Sequence, residues 1–400
     1  MPDTVYTNST RRNVALLAAC QALLFTNNST LIAINGLAGL ALAPYVGLAT
    51  LPVTGWVLGG AIGTMPASLH MRRVGRQRGL TSGTLWGVVG ALICAAAIWL
   101  QSFWLLCFGT LVFGVYNAYG QYYRFAAADV ATGDFKAVAI SLVLAGGLVG
   151  GILGPTTSRF TIELLAPKFM GAYFVLIAFA LATMILLRFV RIPTQGAAER
   201  AGPGRSLREI AAQPKYLVAV AAGAIGYGVM NFLMTSTPIA MQVCGHPYGD
   251  AAFVISSHVI GMFAPSFVTG PMIKRVGALP VMLAGALLNF AAIGIALAGI
   301  AVANFWWSLV ILGVGWNCLY IGGTTLLTET YRPEERARAQ GMNEQAIFTM
   351  MAISSLTSGL TVTTAGWERV NVLALPLVAL VAVAIVWFAL RERARSAASA

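Results

Sequence analysis

Apolar residues run along the chain in blocks of 20 to 26, set apart by short polar breaks. About 20 apolar residues make one helix long enough to cross a bilayer. The breaks therefore predict twelve spans, near 13–35, 44–69, 79–100, 103–125, 137–158, 169–191, 216–241, 249–273, 279–302, 305–327, 339–363 and 371–390. Of the 25 Lys and Arg residues, 22 fall in alternate breaks, while the other set keeps only Arg159, Lys168 and Arg369. Positive charge stays on the cytoplasmic side of a membrane protein, so this split predicts an even number of spans with both termini inside.

The longest polar stretch, from Arg191 to Lys215, lies at mid-chain and holds Pro193, Pro203 and Pro214. Residues about 200 apart match across it: Tyr116-Asn117 with Trp316-Asn317, Asp129 with Glu329, Asp134 with Glu334, and Lys136-Ala137 with Arg336-Ala337. Arg72-Arg73-Val74-Gly75 recurs as Lys274-Arg275-Val276-Gly277. Such a set in matching topological places predicts a duplication. The expected organisation is an all-α membrane protein of twelve transmembrane helices, with a six-helix bundle over 1–191, a cytoplasmic linker over 192–215 and a second, pseudo-symmetric bundle over 216–400.

Composition agrees with that pattern. The chain is 58% hydrophobic and only 10% charged, against roughly 25% charged in a soluble domain. Its net charge of +12 comes from residues in the breaks and forms no continuous stripe, which argues against nucleic acid as a partner. The five cysteines are scattered, four of them inside apolar runs, and predict no structural disulfide. No nucleophile with its base, phosphate loop or closed metal set is present, so an enzyme is not expected, nor a tightly bound cofactor.

Residues 68–80 resemble the loop signature that follows the second helix in the major facilitator superfamily, with Arg73, Gly75 and Arg76 retained, and 270–277 repeat it. Ser68 and Arg72 depart from it at the glycine and acidic positions. The resemblance implies the major facilitator fold and transport by alternating access, in a bacterial inner membrane. Arg72 and Arg73, with Lys274 and Arg275, are then expected to tune gating. Gly150-x-x-x-Gly154-Pro155 is a partial match to an antiporter motif that lacks its final glycine, and close helix packing through small residues is the favoured reading of it.

Ionisable residues within a bilayer are costly and therefore informative. His258 is the one histidine deep in a span, and His258-x-x-x-Met262 puts an imidazole and a thioether on one helical face. Met230-x-x-x-Met234 does the same with two thioethers on the preceding span, at similar depth. Three thioethers and an imidazole form a soft donor set suited to Cu(I), whereas methionine in an apolar helix ordinarily packs. On the residues alone the two readings stand level. Above this layer Met241, Cys244 and His246 mark a possible metal relay. The paired motif resembles that of the CcoA-type bacterial copper importers. That resemblance implies that Met230, Met234, His258 and Met262 bind copper as transported substrate. It further implies uptake into the cytoplasm for assembly of a cbb3-type cytochrome oxidase, with a cytoplasmic copper chaperone as partner and a monomeric transporter.

Remaining polar positions suggest a pathway wall: Asn117, Gln121 and Arg124 on the fourth span, Asn317 on the tenth, and Glu344, the carboxylate inside the eleventh, which could carry a proton or pair with Arg336 or Arg338. The competing function is a proton-coupled exporter of small organic compounds, favoured by Tyr116, Tyr119, Tyr122 and Tyr123.

Overall fold

A computed structural model describes residues 8–45, 48–133, 135–192 and 204–398. Asp134 and residues 193–203 of the expected linker lie outside the described residues. Within them the chain forms twelve long helices and no strand. They are α1 (Asn8–Leu42), α2 (Leu51–Val74), α3 (Arg76–Trp99), α4 (Phe103–Val130), α5 (Phe135–Thr161), α6 (Met170–Phe189) and α7 (Pro214–Val243). There follow α8 (248–276), α9 (Ala278–Leu297), α10 (Val302–Leu327) and one long helical stretch, Arg336–Ala398, divided by the non-helical Gly366 into α11 (336–365) and α12 (367–398). Ten helical stretches are long and apolar enough to cross a membrane, the last of them comprising both α11 and α12. This is a multi-pass membrane bundle.

The spans read from hydropathy fall on these helices, and the differences have local causes. α4 has a one-turn irregularity at Gln121 and Tyr122 within its apolar block and continues five residues past the block's end. α8 is interrupted between Phe263 and Ser266, because Pro265 has no N–H with which to continue the ladder. Both copies of the repeated loop are built alike: α2 ends on Gly75 with φ +92° and α8 on Gly277 with φ +88°. Each glycine N–H closes the preceding helix, onto Met71 and Ile273 respectively, and the next helix starts at once. A left-handed residue is what this abrupt reversal needs, and glycine adopts it without strain.

Contacts divide the chain into two units. The first lies within Met1–Ala201 and includes the short piece Gln340–Gln345; the second comprises Gly202–Ala339 and Ala346–Ala400. In the first unit α4 packs on α2 and α3, and α1 packs on α5 and α6. In the second, α10 is the hub, packed on α7, α8 and α9. A Cβ at Gly313 of α10 would stand 2.8 Å from the His258 carbonyl oxygen and 2.8 Å from the Met262 N, so α8 and α10 meet backbone to backbone there. Large apolar side chains cover the outside, among them Trp99, Trp104 and Phe160, each more than half exposed. A water-facing surface would not carry so much apolar area; a lipid-facing one must.

Near the start of the second unit stands Arg205, whose guanidinium grips Glu335 in the 3-10 turn Pro333–Glu335, outside the apolar spans. Arg205 Nε and NH2 reach the two carboxylate oxygens at 2.8 and 2.6 Å, and NH2 also donates to the Thr330 carbonyl at 3.0 Å. Ser206 and Glu209 form a capping box on the short helix Leu207–Ala211 that follows. The Arg205 guanidinium, with the backbone N–H groups of Arg332 and Arg205, holds the Glu335 carboxyl down to about 2.

Two predictions follow from this packing. Gly313→Val forces α8 and α10 apart and should lower stability by about 1–3 kcal/mol or more, read as a lower melting temperature and reduced monodisperse yield in detergent. A carboxylate whose folded value is depressed stabilises the fold above its unfolded value, about 4.3, and loses that contribution as pH falls toward its folded value. The stability difference between the parent and Glu335→Gln should therefore reach about 3 kcal/mol near pH 6 and shrink as pH falls below about 4, in thermal unfolding over a pH series.

Candidate functional site

Each unit builds its own polar or aromatic interior. In the first, α4 carries Asn117, Gln121 and Arg124 on one face, as the helical period requires. Asn28 of α1 donates through Nδ2 to Asn117 Oδ1 at 2.8 Å, and Gln121 Nε2 donates to the same oxygen at 3.2 Å. Arg124 donates to Gln121 Oε1 at 3.4 Å, lies with its guanidinium carbon 4.7 Å from the Phe125 ring centroid, and pairs through NH2 with Glu344. Asn343 Nδ2 donates to the same Glu344 oxygen at 2.7 Å. The result is one hydrogen-bonded line from Asn28 to Asn343, in which Arg124 and Glu344 are 1% and 0% exposed. Glu344 thus pairs with Arg124, not with Arg336 or Arg338. Nearer the loop, Arg76 lies 2.9 Å from Asp129 and donates to Gln340 Oε1 at 2.6 Å.

The second unit is arranged around aromatic rings. Trp316 and Tyr320, one turn apart on α10, stack with centroids 4.7 Å apart and planes 19° from parallel. Tyr227 of α7 stands edge-on to both, at 5.3 and 5.6 Å, and Phe263 of α8 meets Trp316 edge-on at 5.9 Å. Beside them Asn317 holds α10 to the break in α8: its Nδ2 donates to the Met262 carbonyl at 2.6 Å and to Ser266 Oγ at 2.7 Å, while its Oδ1 accepts from Thr269 at 2.7 Å. Asn231 of α7 donates to Ser354 Oγ at 2.9 Å.

The residues expected to hold metal are placed as follows. His258 is fully buried, with Nδ1 on the Leu309 carbonyl of α10 at 2.6 Å. Met230 and Met262 are buried and Met234 is half-buried. Met241 is buried, Cys244 is a half-buried free thiol, and His246 Nε2 meets the Ile300 carbonyl at 2.7 Å. Among the described residues there is no group of three or more His, Cys, Asp or Glu that could hold a metal ion. Of the expected gating residues, Arg72 is half-buried and Arg73, Lys274 and Arg275 are exposed at helix ends. The buried arginine of that loop is Arg76, and its partner Asp129 was legible as a repeat match but not as its countercharge. The aromatic group escaped sequence reading because Trp316 and Tyr320, though one turn apart, sit in an apolar run where rings ordinarily pack.

Comparison with known proteins gives a consistent picture. The family model described as Major Facilitator Superfamily matches residues 17–265 and 245–400. A riboflavin transporter, RfnT, of Brucella anthropi is 41% identical over 394 residues, covering 97% of this chain and 98% of that protein. Among solved structures, the outward conformation of the transporter FucP superposes with a TM-score of 0.76 at 16% identity, over 94% of this chain and 99% of that one. The human organic anion transporter MFSD10 (TETRAN) gives 0.75 at 12% identity, over the same shares. These two likenesses are of fold.

The copper reading is corrected by these findings. A near full-length relative at 41% identity is a riboflavin transporter, not a CcoA-type copper importer. Supply of copper to a cbb3-type oxidase and a copper chaperone lose their basis with it. The competing exporter reading gains no specific support either. The physical reason the motif misled is that i, i+4 pairs of Met and His occur wherever helices pack. Here His258 directs Nδ1 at a backbone carbonyl of α10.

A buried ion pair is costly to break from one side and near neutral to replace whole. Glu344→Leu should therefore destabilise the protein by about 3–5 kcal/mol, and adding Arg124→Leu should restore most of that loss, measured by thermal unfolding of the two variants against the parent.

Proposed function

Since the chain belongs to the Major Facilitator Superfamily, a family of transporters and not of enzymes, we propose that it carries riboflavin or a closely related flavin across a bacterial cytoplasmic membrane. One observation carries this reading: the 41% identity with a riboflavin transporter extends over 97% of this chain and 98% of the relative. It therefore includes every span and both repeats, and does not rest on a shared loop signature.

The chemistry of the interior supports it. Riboflavin joins a flat, uncharged tricyclic ring to a polyhydroxylated chain, and moving so many polar groups through hydrocarbon unaided is prohibitive. A carrier for it needs aromatic faces and neutral hydrogen-bonding groups more than a charged or metal-binding centre. The second unit supplies the first in Tyr227, Trp316 and Tyr320, and buried amides such as Asn28 and Asn117 supply the second. The split of basic residues between alternate loops supports cytoplasmic termini.

The test is counterflow. Proteoliposomes preloaded with unlabelled riboflavin should accumulate labelled riboflavin transiently and saturably, well above protein-free vesicles. Accumulation no greater than that of the protein-free vesicles would sink the proposal.

A further inference from the structure

On the reading that the cargo is a flavin, we propose that its tricyclic ring is held within the second unit by Trp316 and Tyr320, with Tyr227 as the ring that moves to admit it and the Trp316 indole N–H donating to a ring carbonyl.

Two independent observations meet at Trp316. The first is the stack itself: two electron-rich rings held 4.7 Å apart and nearly parallel, flanked edge-on by Tyr227 and Phe263. An isoalloxazine ring is flat and electron-poor, so it gains most by lying on faces of this kind. The second is the indole nitrogen. Trp316 is 2% exposed, and its Nε1 is buried without a hydrogen-bond partner. Other indole nitrogens share that condition, but Trp56 and Trp306 lie within two turns of a helix start and Trp367 adjoins the break at Gly366. Trp316 instead stands at the middle of α10, Val302–Leu327, where the bilayer offers no water. A donor left unmet at that depth is unfavourable, and the pyrimidine edge of a flavin carries carbonyl oxygens of the right kind to receive it.

Access follows from burial. Trp316 and Tyr320 are almost wholly covered, whereas Tyr227 is half-buried and leans edge-on against both. Rotation of Tyr227 away from the pair bares an aromatic face without disturbing the hydrogen bonds of Asn317 to α8. The site so formed recognises the ring and not the ribityl chain, and its members bear no charge.

The experiment is a fluorescence titration of riboflavin with the purified full-length protein in lipid nanodiscs, beside the counterflow assay. Binding should quench flavin fluorescence through stacking. Trp316→Leu should weaken it by about 5- to 150-fold, the range that loss of one stacked aromatic produces. Trp316→Phe, which keeps a ring but loses the N–H, should weaken it by about 3- to 10-fold, and it carries the test should the leucine variant fail to fold. Lumichrome, the ring without its ribityl chain, should compete, and ribitol should not. Wild-type affinity in a folded Trp316→Phe and Trp316→Leu, or failure of lumichrome to compete, would overturn the ring site while riboflavin counterflow left the transport reading standing. Absence of both binding and counterflow in the parent protein would overturn both.

Discussion

Everything inside this protein is governed by the lack of water in the bilayer: a polar group that enters the hydrocarbon layer has to find its partner within the chain. The two halves solve this with the same residue at the same place. Asn117 on α4 accepts from Asn28 of α1 and from Gln121, and Asn317 on α10 ties the broken middle of α8 through Met262, Ser266 and Thr269. Each asparagine sits on the central helix of its unit, and each joins elements that lipid alone would give no reason to associate. The duplication thus preserved a structural function as well as a sequence pattern.

Around that shared frame the units have diverged in chemistry. The first holds charge: Arg124 with Glu344, and Arg76 with Asp129, all at most one-tenth exposed. In the second, the ion pairs Arg205–Glu335 and Lys215–Glu329 stand at helix ends, and the middle is occupied by rings. The partner of Tyr116 in the repeat is Trp316, so one substitution at an equivalent site turns a phenol that meets Thr183 at 3.4 Å into an indole stacked on Tyr320.

The methionine and histidine pattern shows how residue type and spacing lose meaning in an apolar helix. Thioethers at i, i+4 suit a soft metal, and they equally fill irregular gaps between helices. Which applies depends on what lies opposite. Opposite His258 is the Leu309 carbonyl, and beside it Gly313 lets two backbones touch. The aromatic group stayed hidden for a related reason, since Tyr227 and Phe263 come to Trp316 and Tyr320 from two other helices.

Hydropathy and the repeat of about 200 residues were enough to determine twelve helices and their order, because a bilayer tests each segment nearly independently for length and apolarity, and the superfamily was legible through the resemblance of the loop signature at 68–80. The glycine turns at Gly75 and Gly277 were legible for a similar reason, being local and repeated. What only the tertiary structure decided were the pairings: Glu344 with Arg124, 220 residues apart, Arg76 with Asp129, and Tyr227 with Trp316. A helix period says which face a side chain occupies but not which neighbour that face meets, and with lipid as apolar as leucine no hydrophobic pattern marks the helix that will lie alongside.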